Sequence, residues 1–224
     1  ELLRFPEEKL SVACLCNLGR TNPSELARRV AQVYLGSRMT PETTPEAADF
    51  VTLDEAALRS RAGSYWDRAS SDYLEVTAKD GKLEVAEGGS TASFRPLSAT
   101  RFAAETAPAA EISFEGESLV FRRREDTHTY SRIELWNPSP GELEKFRGRY
   151  RSLEILGSLE VDVEGNALVL RHRTISPDPL KPIRPDTFHL EGLTLAFTRD
   201  RKGDVDGLTL DMGRVKGIVY TKDG

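Results

Sequence analysis

The residues of this 224-residue chain whose types bear on chemistry are few: three histidines, two cysteines, two tryptophans and several grouped arginines. His172 follows Leu168 and Leu170 at a spacing of two, which puts all three on one face of a strand. That places its imidazole inside or at the mouth of a barrel, as a satisfied histidine rather than an acid–base group. His128 and His189 flank the ends of expected strands. Cys14 and Cys16 are two apart, too close for normal disulfide geometry. The histidines are scattered and give the two thiols no metal-ligand spacing, so both cysteines read as buried, inert groups. Asp200, Asp204 and Asp206 with Gly203 and Gly207 lack the closing glutamate of a calcium loop and read as a hairpin turn.

Arg122, Arg123 and Arg124 form a short basic run. Arg147, Arg149 and Arg151 alternate along one strand face, opposite Phe146 and Tyr150. Guanidinium forks in a row match a carboxylate or another anion, and a solvated or inter-domain face is the ordinary use of such a stripe. Trp66 and Trp136 are candidate anchors for a domain interface, or for core or hinge packing. No Ser-x-x-Lys, Gly-x-Ser-x-Gly, Tyr-x-Asn or Lys-Thr-Gly occurs, so the chain lacks the local patterns that supply an acylation nucleophile and its base. We expect no catalytic, cofactor-binding or metal-binding residue.

The elements that position these residues follow from an internal repeat. Leu58, Gly63, Tyr65, Leu74, Val76 and Leu83 recur at a constant offset as Leu143, Gly148, Tyr150, Leu159, Val161 and Leu168. Each copy has room for about eight short strands with turn signals every 8–12 residues or so, the spacing of a sandwich or barrel. Leu159, Val161 and Val163 alternate with Glu160 and Asp162, giving a sheet with one dry and one wet face. Strands this short favour a barrel packed with side chains over one enclosing a ligand. The fold class expected is mainly β: two tandem small antiparallel barrels of about eight strands each. Short helices precede each copy, with capping boxes at Thr52–Glu55 and Ser139–Glu142.

Ahead of the repeats, residues 10–17 form a continuous apolar run, expected as one strand buried on both faces. Asn22, Pro23 and Glu25 open a helix that Gly36 ends, with Leu26, Val30, Val33 and Tyr34 on its apolar face. Residues 1–36 thus read as the last strand and helix of a larger domain. Residues 37–51, rich in Thr, Pro and Glu, are a linker. The repeats occupy 52–136 and 137–224. The net charge of −5 is of mixed sign and argues against nucleic-acid binding. No apolar run is long enough to span a bilayer, and the first residues are not a signal peptide.

The run Leu10–Gly19, with Asn22-Pro23 and a helix ending Val33-Tyr34-Leu35, resembles the end of the catalytic domain in serine hydrolases of the class C β-lactamase and penicillin-binding-protein type. The stretch through Gly63-x-Tyr65, Asp80-Gly81-Lys82-Leu83 and Pro96 to Phe102 resembles the accessory barrels that follow that domain. So does Phe197-x-x-Asp200-x-x-Gly203-x-Val205-x-Gly207-Leu208 with Val219-Tyr220. The tandem arrangement is similar to the D-aminopeptidase branch, and that likeness implies two lipocalin-like antiparallel barrels after the catalytic domain. The resemblance implies a parent acting on peptides, esters or β-lactam-like amides, exported to the periplasm or secreted, with its catalytic residues upstream of Glu1. The partner it implies is that upstream catalytic domain, to which the barrels would restrict access. Two other readings stand beside it. One is a lipocalin-like module for a small apolar ligand. The other is an interaction module that forms homo-oligomers through an orphan strand at 10–17.

Overall fold

A computed structural model describes residues 1–17, 23–38, 49–105, 110–123, 126–171, 178–213 and 215–223. The chain divides into two units, Glu1–Ala48 and Asp49–Gly224.

In the first unit, β1 (Leu2–Phe5) and β2 (Leu10–Ala13) form an antiparallel hairpin, and α1 (Pro23–Leu35) packs on it. Three expectations are corrected here. The strand covers only the first half of 10–17, and it is no orphan: Leu3 lies opposite Val12 and Phe5 opposite Leu10. It is not buried on both faces either. Only Val12 of β2 is fully covered, and Leu15 beyond it is 93% exposed. A hairpin offers one face to one helix, so every second residue stays in water.

The buried face of α1 also differs from the expected one. Ala27, Ala31 and Leu35 point inward, whereas Leu26, Val30, Val33 and Tyr34 are exposed, Val33 by 82%. Small side chains let the helix lie close to a narrow hairpin, and that hairpin cannot cover a second stripe. Asn22, the expected cap, lies outside the described residues, as does most of the 37–51 linker.

The second unit holds two closed eight-stranded barrels in which each strand pairs with the next and the last pairs with the first. Before the first barrel comes α2 (Glu55–Arg61). Its cap is Asp54, whose carboxylate accepts from the Ala57 N–H at 2.6 Å, so the expected Thr52–Glu55 box is displaced. The strands are β3 (Gly63–Asp67), β4 (Asp72–Lys79), β5 (Lys82–Glu87), β6 (Ser90–Pro96), β7 (Arg101–Ala104), β8 (Ala110–Glu115), β9 (Ser118–Arg123) and β10 (Asp126–Ile133). The second barrel follows α3 (Pro140–Leu143) and a 3-10 turn (Glu144–Phe146), where the Ser139–Glu142 box forms: Glu142 accepts from the Ser139 N–H at 2.7 Å. Its strands are β11 (Gly148–Ser152), β12 (Gly157–Glu164), β13 (Ala167–Arg171), β14 (Pro179–Arg184), β15 (Thr187–Leu190), β16 (Leu193–Arg199), β17 (Val205–Met212) and β18 (Val215–Lys222).

All the repeated leucines, valines and tyrosines are core residues, with Leu58, Tyr65 and Leu83 in one barrel and Leu143, Tyr150 and Leu168 in the other. These cores fill the barrel interiors, as the short strands required.

The Gly-x-Tyr pair makes one corner twice. Tyr65 donates its hydroxyl to the carbonyl of Arg61 at 2.8 Å, and Tyr150 to that of Phe146 at 2.6 Å. Each bond ties a short helical segment to the first strand. A cation from the last strand closes the corner. Arg132 donates to the carbonyls of Ser60 and Ala62, and Lys222 to that of Lys145; each lies against its tyrosine ring. Glycine is required because the backbone turns at φ 153° and 149° there, and a Cβ would press on Arg132 or Lys222.

Candidate functional site

A polar network in the second unit lies along the seam where the barrels meet. Its barrel-1 side is the outer face of β3 and β4. Leu74 and Val76 point inward, so Tyr73 and Glu75 point out, and Trp66 lies opposite Tyr73 in register. Its barrel-2 side is β14 and β15. Trp66, Tyr73 and Ile183 are buried together there, with Ile133 at the margin and the Arg184 guanidinium 5.4 Å from the Trp66 ring centre.

Polar groups knit the same surface. Tyr73 shares a 2.9 Å hydrogen bond with Ser64, and the Lys181 ammonium bridges Tyr73 and the Glu75 carboxylate. Burial works against that ammonium, but Glu75 and Tyr73 outweigh it and hold the pKa above the ordinary lysine value. Lys216 donates to the Ser70 carbonyl at 2.6 Å and to Asp72 at 3.1 Å.

His189 stands at the centre of the seam. Its Nε2 accepts from the Gly192 N–H at 3.3 Å, so the ring proton sits on Nδ1 and is donated to Thr194 at 3.2 Å. Thr194 in turn donates to the Ser71 carbonyl of the first barrel at 3.0 Å. The imidazole packs 5.2 Å from the Tyr73 ring. Burial, aided by the Lys181 charge and partly offset by Asp72, pushes its pKa down to about 4. The ring is therefore neutral near pH 7. A cleft of about 240 Å³ opens beside it, walled by Tyr73, Glu75, Lys181 and the glycines of the β5–β6 turn. Both imidazole nitrogens are engaged and Lys181 stays protonated, so neither is a free base. This constellation fastens one barrel to the other.

Of the residues singled out from sequence, Trp66 and His189 join the seam, His189 from within β15 rather than from beside a strand end. Trp136 packs against Phe146 and Phe188 in the second barrel, at ring distances of 6.1 and 5.8 Å. The arginine stripe is committed to its own neighbours: Arg147 to Asp162 and Glu144, Arg149 to Ser158 and Asp223, Arg151 to Asp223. It is an ion-paired outer wall, not an open anion site. His172 and Arg124 lie outside the described residues. Cys14 is half-buried and Cys16 exposed, so the expected burial of both thiols is corrected. Asp200 accepts from the N–H groups of Lys202 and Asp204, which makes the acidic segment a turn between β16 and β17. Among the described residues no cluster of three or more acidic, histidine or cysteine side chains is placed to hold a metal ion. No described helix is long and apolar enough to cross a membrane.

Tyr73, Glu75, Lys181 and Thr194 were missed, and His189 was given no part in an interface. One signal was present in the repeat. Carried forward by the same offset, Trp66 and Tyr73 become Arg151 and Ser158, themselves a register pair on β11 and β12. Outward positions that are aromatic in one copy and polar in the other mark the face that only one barrel covers. No protein-family model matches the chain, and no curated protein is significantly similar to it.

Proposed function

We propose that this chain is the non-catalytic accessory region of a serine hydrolase of the β-lactamase and penicillin-binding-protein type. Its barrels pack on the catalytic domain of the same polypeptide, narrow access to the cleft, and are exported with it. The observation that carries this reading is the uncovered apolar face of α1. Among the described residues, the two-stranded hairpin and one helix bury Val12, Ala27, Ala31 and Leu35, of which three cluster as a core, against a cluster of fifteen in the first barrel. A hairpin alone is marginal in water, and a stripe of large apolar side chains marks a surface meant to be covered. Both features fit the tail of a larger domain. The filled barrel interiors and engaged seam groups fit a structural role for the rest.

The chain as it stands should not hydrolyse nitrocefin or a D-amino-acid amide. Fusing the upstream sequence should bring turnover and should shield α1 from hydrogen exchange. Turnover by the present chain that a serine-directed reagent abolishes would overturn the reading.

A further inference from the structure

At the rim of the first barrel, beside the seam, an open cleft of about 580 Å³ runs between the end of β3 and the outer face of β10. Several side chains along it are hydrogen-bond donors without acceptors. Arg68 is exposed, and its guanidinium makes no ion pair or hydrogen bond. The hydroxyls of Thr127, Thr129 and Ser131, two residues apart on one side of β10, are likewise unengaged. Trp66 belongs to the same wall. It is only 6% exposed, and its indole N–H has no acceptor. A buried donor left unpaired costs about 1–3 kcal/mol and is rare in folded proteins.

The acid in the cleft does not fill this need. Asp67 accepts from the Ala69 N–H at 2.8 Å, the Ser70 hydroxyl at 2.8 Å and His128 Nδ1 at 3.3 Å. Burial raises its pKa, but these bonds outweigh burial and hold it below the usual carboxylate range. Its charge is met by its own donors, and Arg68 faces none.

We propose that this cleft is an oxyanion site. It takes a small ligand bearing a carboxylate or a phosphate, held by the Arg68 guanidinium and the hydroxyls of Thr129 and Ser131, with the Trp66 indole N–H as its buried donor. Charge-assisted bonds from a guanidinium fork suit both groups.

The chain has two tryptophans, so its nitrogen–proton NMR spectrum has two indole signals. Sodium acetate and inorganic phosphate are titrated separately into the whole chain at constant ionic strength, with chloride as control. The expected result is a saturable downfield movement of the Trp66 signal with one of the two anions, while Trp136 stays fixed. Arg68→Ala and Ser131→Ala, both at exposed positions, should each weaken that binding at least tenfold. A Trp66 signal that does not move would overturn the site and leave the N–H to a buried water. So would one that moves equally with chloride or in Arg68→Ala.

Discussion

Tyr65 and Tyr150 do the same work in different surroundings, and that difference sets what their loss should cost. The Tyr150 bond to the Phe146 carbonyl is fully buried, whereas the Tyr65 bond to Arg61 is only partly so. Tyr150→Phe strands a carbonyl away from water and should destabilise the protein by about 1–3 kcal/mol, while Tyr65→Phe should cost about 1 kcal/mol or less. Urea unfolding of the two variants checks the order. His189 gives a pH prediction. Unfolded, it takes up a proton near the ordinary histidine value of 6.5; folded, it resists until about 4. Its contribution is therefore complete above pH 6.5 and is lost as pH falls from 6.5 towards 4, by up to about 3 kcal/mol. Stability measured across that window should fall less steeply in His189→Gln than in the parent. Equal slopes would mean that the ring is exposed to solvent.

At the scale of elements, most of the fold was legible. Strands β3 to β18 follow from alternating patterns bounded by glycine and aspartate turns, because each barrel strand has one face in the core and one outside. Helix α2 shows the limit of such reading. Thr52 and Glu55 have the spacing of a box, but the first turn of the helix takes its partner from Asp54. Asp54→Ala should therefore cost about 0.5–2 kcal/mol and Thr52→Ala almost nothing; thermal melting of the pair distinguishes them. The face of α1 was misread for a physical reason. Periodicity picks out the larger apolar stripe, whereas contact with a narrow hairpin selects the smaller one. The seam was hidden for another. His189 and Lys181 gain their meaning from Thr194, Glu75 and Tyr73, and the barrel-1 partners lie over a hundred residues away in sequence. Local spacing carries no trace of such a partnership.

Across the whole second unit, the seam turns two self-sufficient cores into one body. One close approach in it is that of Gly192 to Gly88, where a Cβ on Gly192 would come within 3.1 Å of the Gly88 Cα and would have to accept φ 86°. Gly192→Val should wedge the barrels apart, at a local backbone cost of about 1–3 kcal/mol. Calorimetry of residues 49–224 should then resolve two transitions where the parent shows one; a single transition in both would mean that the seam carries little coupling. Closure of each ladder has a different outcome. Ile133 lies opposite Ser64, and Lys222 opposite Tyr150, so the chain leaves each cylinder beside the point where it entered. A gene segment encoding one such cylinder can be copied in line without threading or re-pairing any strand. Growth by whole beads, each free to drift on its outer wall, is open to this lineage at almost no topological cost.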